Sequence, residues 1–224
     1  MLTIGIDDAG RGPLIGPMVL AGVLIDKHQE KTLKEAGVKD SKLLFQNKRE
    51  YIANIIKDNS IATKVVKISP EEIDSSLNSG TNLNTLEAIK MAGVINALNK
   101  KKDKIKVIVD CPSVNITKWS KTLLTYIKNP DNLTIVCEHK ADTNHISAAA
   151  ASILAKVERE IEVTKLKKEF GEIGSGYPAD PITKEFLIKR GKELSNSGIF
   201  RKTWATWKTK FPQETKGQKS LDDF

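Results

Sequence analysis

Residues 1–17 read MLTIGIDDAGRGPLIGP and contain a predicted strand with the turn that follows it. From Leu2 to Asp7 apolar residues alternate with small or polar ones, which is the period-two pattern of a β-strand. The strand ends in two adjacent carboxylates, Asp7 and Asp8. Carboxylates at the end of a buried strand are costly unless a positive charge compensates them, most often a divalent cation. The stretch therefore predicts a metal site.

The turn that follows, Ala9-Gly10-Arg11-Gly12-Pro13, is suited to hold a ligand against the backbone. Gly10 and Gly12 have no side chains, so a bound group can approach closely, and Arg11 offers a guanidinium fork that matches phosphate. We interpret the turn as a nucleic-acid cradle beside the metal site. The alternative is an ordinary Asp-rich turn in which both glycines serve only to adopt positive φ angles.

The composition is that of a soluble globular protein with one substantial core. Of its 224 residues, 39% are hydrophobic and 29% are charged, and no apolar run approaches the roughly 18 residues of a membrane span. The start lacks a secretion signal, and Cys111 and Cys137 lack CxxC spacing, so we expect reduced thiols in a cytoplasmic protein. The net charge of +8 favours polyanionic partners, nucleic acid first. Nothing in the sequence indicates more than a monomer.

Strand and helix candidates follow one another along the whole chain. Strands are predicted at residues 2–8, 18–25, 61–68, 105–110 and 133–137. Helices are predicted at residues 33–38, 47–57, 69–80, 83–100 and 117–127, and a long helix is predicted to begin at Asn144.

This order predicts an α/β fold with a mixed five-stranded sheet flanked by helices, in which an antiparallel meander joins βαβ units. We expect a catalytic domain at residues 1–182, a basic helical region at 183–211 that forms a C-terminal extension, and a flexible polar tail at 212–224. Within the extension, Trp204 and Trp207 are interpreted as core residues rather than as residues that line a ligand.

Four aspartates follow predicted strands or precede a predicted helix. Asp7, Asp8 and Asp110 lie at the carboxyl ends of strands, where ligands bind in α/β sheets, and Asp142 lies just before a helix N-terminus. If the first and fourth strands are neighbours, the four carboxylates converge on one pocket. Ligation by carboxylates alone indicates a hard cation such as Mg²⁺ or Mn²⁺, and two such ions roughly 4 Å apart perform in-line phosphoryl transfer. Each aspartate taken alone is more often a strand terminator or a helix cap.

Ordered motifs run along most of the chain. They are DDAGRG (7–12), GPMV (16–19), DSK (40–42), VDCP (109–112), KAD (140–142), SAAAASILAKV (147–157), GSGYP (174–178) and Asp180-Pro181 with Thr183. In these motifs the chain resembles ribonuclease HII, the type 2 ribonucleases H, over residues 2–210.

The resemblance implies the ribonuclease H-like fold and a metal-dependent endonuclease. Such an enzyme cleaves RNA within RNA–DNA hybrids, and it cuts on the 5′ side of single ribonucleotides embedded in duplex DNA, leaving 3′-hydroxyl and 5′-phosphate ends. The implied roles are the removal of ribonucleotides and of RNA primers, in DNA repair and replication.

Carried over position by position, Asp7, Asp8, Asp110 and Asp142 match the family's catalytic acids, which bind two divalent ions, Mg²⁺ or Mn²⁺. One of them departs from the family pattern, because Asp8 stands where the family usually has Glu. Its carboxylate is withdrawn by one methylene, roughly 1.5 Å of reach. Since Mg²⁺ demands tight octahedral geometry, a preference for the larger Mn²⁺ is one hypothesis, and adjustment of the turn backbone is the alternative.

The same resemblance assigns residues to the substrate. Gly10-Arg11-Gly12 matches the turn that senses the 2′-hydroxyl, and Tyr177 matches the tyrosine that stacks at the RNA–DNA junction. Backbone amides can detect a 2′-hydroxyl, the group that distinguishes RNA from DNA, without side-chain bulk. Ser41 and Lys42 are expected to contact phosphates.

The C-terminal tail contains a second signal. Gln218, Leu221 and Phe224 have the Q-x-x-L-x-x-F spacing of peptides that tether replication enzymes to a sliding clamp. Leu221 and Phe224 would share one side of a helical turn and fill a hydrophobic groove. The tail resembles such a peptide and indicates an archaeal or eukaryote-like replication system. The alternative is a disordered polar tail.

Three other functional interpretations stay open. Another nuclease of the same fold, such as a Holliday-junction resolvase or a transposase, has an acidic metal site but not the Gly-Arg-Gly turn with the downstream Gly-Tyr-Pro element. A type 3 ribonuclease H carries an additional N-terminal domain, whereas this chain begins directly at the first strand. A non-catalytic nucleic-acid-binding homologue is suggested by Asp8 and would fail a metal-dependent cleavage assay.

Overall fold

The fold is built on a mixed five-stranded sheet. The structure is a computed structural model that describes residues 1–38 and 46–212. The strands are β1 (Leu2–Ala9), β2 (Met18–Ile25), β3 (Ala62–Ile68), β4 (Ile105–Asp110) and β5 (Leu133–Glu138). The helices within these residues are α1 (Lys27–Glu35), α2 (Gln46–Asp58), α3 (Pro70–Asn78), α4 (Leu83–Leu98), α5 (Ile116–Thr125), α6 (Ala141–Asn144), α7 (Ile146–Phe170), α8 (Pro181–Arg190) and α9 (Ala205–Lys210).

The strand order in the sheet is β3-β2-β1-β4-β5. β1 pairs with β2 in antiparallel orientation, with Ile6 opposite Gly22. It pairs with β4 in parallel orientation, with Ile6 opposite Val109, and β4 pairs in parallel with β5. This arrangement confirms the predicted mixed sheet and makes the first and fourth strands neighbours, so that Asp7 and Asp110, which follow Ile6 and Val109, come to the same edge.

The chain divides into two compact units. The first contains Met1–Arg11, Met18–Lys67 and Asn82–Glu160, and the second contains Gly12–Pro17, Ile68–Thr81 and the chain from Ile161. No described helix combines the length and the apolar character that crossing a membrane would require. The domain limits expected from the sequence stay a prediction.

Two glycines let helices of the first unit approach the two faces of the sheet. Gly5 on β1 lies under the start of α7, where a Cβ atom would come within 2.0 Å of the backbone carbon of Ser147. Gly22 on β2 lies under α4, where a Cβ atom would meet side chains of Val94 and Leu98 at 2.5 and 2.7 Å. Since Gly22 is opposite Ile6, the residue after Gly5, the two glycines face opposite sides of the sheet.

Replacing Gly5 by alanine is expected to lower the free energy of unfolding by about 4 kcal/mol or more, because backbone atoms of α7 cannot move aside as a flexible side chain can. Urea unfolding measures the effect. The matched control is Gly93→Ala on α4, where a Cβ atom would meet nothing within 4 Å, and where the helix should gain about 0.5–1 kcal/mol. A Gly5→Ala variant as stable as the wild type would contradict the close approach of α7.

The second unit has its own core, formed by α7, α8, α9, the loops between them and the segment Gly12–Pro17. It consists of Leu14, Ile15, Val163, Ile173, Phe186, Leu187, Ile199, Phe200 and Trp207. The ring of Trp207 is 4.8 Å from that of Phe200 and 4.6 Å from that of Phe211, measured between centroids. Trp207 is therefore a core residue, as expected, whereas Trp204 is half-buried at the edge of the same cluster.

Some predicted helix limits were wrong. The helix predicted at residues 33–38 is α1, which begins earlier, at Lys27, because Asp26 and Gln29 form a capping box directly after β2. The long helix begins at Ile146, after the separate short helix α6. α1 and α2 both lie between β2 and β3, where the helices at 33–38 and 47–57 were predicted.

Candidate active site

Three of the predicted acids lie at one edge of the sheet, in the first unit. Asp7 and Asp8 are consecutive residues near the end of β1, and Asp7 is only 5% exposed. Asp110 is the last residue of β4, the parallel neighbour of β1. The amide of Asp8 donates to Oδ1 of Asp7 over 2.7 Å. The sheet register thus brings the backbone of these three residues to one edge of the sheet, and the convergence of their carboxylates on one pocket stays a prediction.

The fourth acid is positioned through Asp110. Oδ1 of Asp110 accepts a hydrogen bond from the amide of Ala141, the first residue of α6, over 2.9 Å. α6 carries Asp142, which is 6% exposed and whose Oδ1 accepts a bond from the hydroxyl of Thr143 over 3.2 Å. Asp110 consequently fixes the backbone next to Asp142.

The carboxylates of the cluster repel one another. The pKa of Asp7 is raised well above its usual value, first by burial and then by Asp8 and Asp110, while the hydroxyl of Ser152 and the amide of Asp8 oppose the rise. The pKa of Asp8 is raised from 3.8 to about 7, first by burial and then by Glu87 and Asp110, against the attraction of Arg11 and Lys156. The cluster is therefore short of positive charge.

A divalent cation would compensate this excess of negative charge. Carboxylate oxygens are the ligands that Mg²⁺ and Mn²⁺ prefer, and an added cation would favour the ionised forms that burial disfavours. Within residues 1–38 and 46–212, however, no group of three or more His, Cys, Asp or Glu side chains is arranged so that it could hold an ion as it stands. The ligand roles of Asp7, Asp8, Asp110 and Asp142 therefore stay a prediction that the chemistry of the donors supports.

Glu87 is a buried acid that the sequence interpretation missed. Its side chain is fully buried on α4, and both carboxylate oxygens accept from Nε of Arg11, at 2.9 and 3.0 Å. Nη2 of Arg11 donates to Oδ1 of Asn84 over 2.7 Å. One signal was available, because Glu87 and Lys90 are the charged residues of an otherwise uncharged helix.

These contacts change the interpretation of Arg11. The sequence predicted a guanidinium fork that faces phosphate, but the structure directs the fork to Glu87 and Asn84. Arg11 therefore anchors the turn to α4, and a direct contact with substrate stays a prediction.

Replacing Glu87 by glutamine should lower the free energy of unfolding by about 2–4 kcal/mol, because it removes the charged partner of a partly buried guanidinium. Urea unfolding of the wild type and the variant measures the loss. The control is Glu185→Gln, which breaks the exposed pair with Lys189 and should leave the unfolding midpoint where it is. Equal midpoints for both variants would mean that the Arg11 pair has no structural role.

The glycines of the turn differ from each other. Gly10 has a φ of +78°, a conformation that favours glycine, whereas Gly12 does not belong to the positive-φ glycines. Gly12 lies in the second unit and is exposed; a Cβ atom there would be 3.6 Å from the ring of Tyr177. Tyr177 is 43% exposed, so its ring is available to a ligand.

The remaining predicted residues lie outside the part of the chain that the structure describes. They are Ser41 and Lys42, and Gln218, Leu221 and Phe224 of the tail. Cys111 and Cys137 are free cysteines, as expected. Burial raises the pKa of both thiols.

Comparison with known proteins identifies the family. The family model described as Ribonuclease HII matches residues 4–207. A ribonuclease HII of Methanococcus maripaludis is 43% identical over 210 residues, which cover 92% of this chain and 86% of the relative. The crystal structure of the ribonuclease H2 from Pyrococcus horikoshii OT3 is 36% identical with a TM-score of 0.84, over 95% of this chain and 100% of that one.

A second solved structure is that of the PCNA:RNase HII complex from Archaeoglobus fulgidus. It is 38% identical with a TM-score of 0.81, and each chain is covered completely. The match of the family model over most of the sequence, and relatives of this identity over nearly full length, agree with the motifs and with the sheet that carries the acids. The chain therefore belongs to the ribonuclease HII family, a family of metal-dependent ribonuclease H endonucleases.

Proposed function

We propose that this endonuclease cleaves the RNA strand of RNA–DNA hybrids and cuts on the 5′ side of single ribonucleotides in duplex DNA, leaving 3′-hydroxyl and 5′-phosphate ends. The observation that carries the proposal is the cluster of mutually repelling carboxylates at the end of β1, followed directly by the Gly-Arg-Gly turn. Its roles would be ribonucleotide removal and primer removal, in the cytoplasm, where Cys111 and Cys137 stay reduced.

Asp7, Asp8, Asp110 and Asp142 are the residues that would hold the metal. Two divalent ions, Mg²⁺ or Mn²⁺, would supply Lewis acidity at the scissile phosphate, both for the attacking water and for the leaving oxygen. The residues of the chain preorganise this chemistry. Asp110 fixes the start of α6 and so places Asp142, and the amide of Asp8 orients the carboxylate of Asp7.

Selection of the ribonucleotide would rest on the turn and on Tyr177. Gly10, held in its positive-φ conformation, and Gly12, exposed and without a side chain, allow the backbone to approach the 2′-hydroxyl closely. Tyr177 offers an exposed ring on which a base or sugar can stack. Ser41 and Lys42 would contact phosphates of the duplex.

A nicking assay tests the proposal. A labelled DNA duplex with one ribonucleotide is incubated with Mg²⁺, Mn²⁺ or a chelator. We expect one nick on the 5′ side of the ribonucleotide, and we expect it to be lost in chelator and in Asp7→Asn. The control Asp103→Asn, a matched change in an exposed turn at the other end of β4, should retain the nick. Binding of the duplex without cleavage in either metal would instead support a non-catalytic homologue.

The family's usual Glu at the position of Asp8 leads to a separate prediction. If the shorter carboxylate weakens Mg²⁺ binding, the wild type should need a higher concentration of Mg²⁺ than of Mn²⁺ for half-maximal nicking, and Asp8→Glu should reduce the difference. Titration of both metals with both proteins measures this. The same metal preference in the two proteins would show that the turn compensates for the missing methylene.

We also propose that residues 218–224 bind a sliding clamp. The support is the spacing of Gln218, Leu221 and Phe224, together with the similarity to the Archaeoglobus fulgidus protein, whose structure contains PCNA. Deletion of residues 218–224 should abolish clamp binding in a pull-down and leave cleavage of short duplexes unchanged. Leu221→Ala with Phe224→Ala should have the same effect as the deletion, and clamp binding that survives both changes would refute the assignment.

A further inference from the structure

The segment that leads from the Gly-Arg-Gly turn into β2 is held from two sides within the second unit. The amides of Leu14 and Ile15 donate to the carbonyl of Gly176, over 2.8 and 3.2 Å. On the other side the amide of Arg201 donates to the carbonyl of Leu14 over 2.9 Å. Because Gly176 directly precedes Tyr177, the same contacts fix the backbone next to the tyrosine.

Two side chains hold the two ends of this segment. Nε1 of Trp204 donates to the carbonyl of Gly12 over 3.0 Å. Nε and Nη2 of Arg201, which is fully buried, donate to the carbonyl of Gly16 over 3.1 and 2.9 Å. The guanidinium also lies 4.9 Å from the centre of the Trp204 ring, so the two side chains support each other.

Trp204 is positioned in turn by α3. The carboxylate of Asp74 accepts from the amides of Lys202 and Thr203, over 2.6 and 3.0 Å, and from the hydroxyl of Thr203 over 2.5 Å. These bonds fix the backbone that immediately precedes Trp204. A chain of contacts therefore leads from Asp74 through residues 202–204 to the carbonyl of Gly12.

We propose that Trp204 is a positioning residue for ribonucleotide selection. It holds the Gly12–Pro13 peptide in the orientation that the turn needs to meet the 2′-hydroxyl, and Asp74 holds Trp204 in place. The inference rests on the proposed function of the turn. Gly12 has neither a side chain nor a strained φ that would restrain it, and glycine is the residue with the greatest backbone freedom. The bond to Trp204 restricts that freedom.

The test is Trp204→Phe, which keeps an aromatic ring and removes the N–H. Four quantities are measured: kcat and KM for a duplex with one ribonucleotide, the inhibition constant of the all-DNA duplex as a competitor, and the Tm of the protein. We expect kcat to fall about three- to tenfold, the effect of losing one hydrogen bond, while KM, the inhibition constant and Tm stay close to the wild-type values. We expect kcat to change without KM because phosphate contacts elsewhere set the affinity for duplex.

Asp74→Ala should reproduce the loss of kcat, and the double variant should lose no more than the larger single effect, since both act through one contact. The matched control is Asp26→Ala, which also removes a carboxylate that accepts from a backbone amide, at the start of α1. It should lower Tm and leave kcat unchanged.

Wild-type kcat in Trp204→Phe would overturn the inference. A loss of kcat accompanied by a change of both Tm and the inhibition constant would also overturn it, because such a result indicates a merely structural role. If the wild type itself does not nick the single-ribonucleotide duplex, the proposed function fails, and the inference fails with it.

Discussion

Replacing Gly12 by alanine is expected to reduce cleavage at a single ribonucleotide about 100-fold while leaving the free energy of unfolding unchanged. Within the protein an alanine is acceptable here, because its Cβ atom would lie 3.6 Å from the Tyr177 ring, an ordinary contact, and Gly12 does not have a positive φ. The expected need for glycine must therefore come from a ligand that approaches the backbone.

Activity and stability have to be measured together, by nicking rates and by urea unfolding. Gly10→Ala is the contrasting variant, since a φ of +78° strains any alanine and should cost about 1 kcal/mol of stability in addition to activity. Gly93→Ala, where a new methyl group meets nothing, should keep full activity. Wild-type nicking by Gly12→Ala would mean that the substrate does not come close to this residue.

Replacing Asp8 by asparagine is expected to inactivate the enzyme and to stabilise the metal-free protein by about 1–3 kcal/mol at pH 8. The folded-state pKa of about 7, against the ordinary 3.8, means that folding prefers the protonated carboxyl. The resulting contribution to stability is fully present below pH 3.8 and is lost as the pH rises through about 7. The asparagine side chain cannot ionise, so the variant avoids this loss.

Urea unfolding midpoints, measured in chelator at pH 5 and pH 8, test whether the stability difference between Asp8→Asn and the wild type changes with pH in this direction. The stability advantage of Asp8→Asn over the wild type should be larger at pH 8 than at pH 5, and Mg²⁺ or Mn²⁺ should reduce it by stabilising the wild type. Asp103→Asn, at an exposed turn, should show neither effect. An advantage that grows towards low pH would contradict the raised pKa.

Local patterns made much of this structure predictable. The alternation of residues 2–7, the apolar run of β2 and the Ser69 cap of α3 each depend on neighbours in sequence, and the structure has all three elements where they were expected. The predicted start of α1 was wrong because the buried apolar residue of this helix, Leu33, lies in its second half, whereas the helix begins in a polar stretch that the Asp26 capping box starts.

The contacts that complete the site were beyond sequence reasoning. Arg11 and Glu87 are 76 positions apart, and Trp204 reaches Gly12 across 192 positions. No periodicity relates such pairs, and the charge of Arg11 indicated phosphate as readily as a buried carboxylate. Residues of this kind become visible only when the path of the chain is known.

The parallel pairing of β1 with β4 also has a consequence for synthesis of the chain. β1 leaves the ribosome before β4, and Val109, the neighbour of Ile6, follows only after α1 to α4 have been made. At about 5–20 residues per second, this takes several seconds. During that interval Asp7 and Asp8 lack the strand that brings Asp110 to them, and the amide of Ala141, which Asp110 binds, is made later still. A nascent or truncated chain is therefore without its assembled acidic cluster, and from the proposed catalytic role of these acids we expect the capacity to cut nucleic acid to arise only once most of the first unit exists.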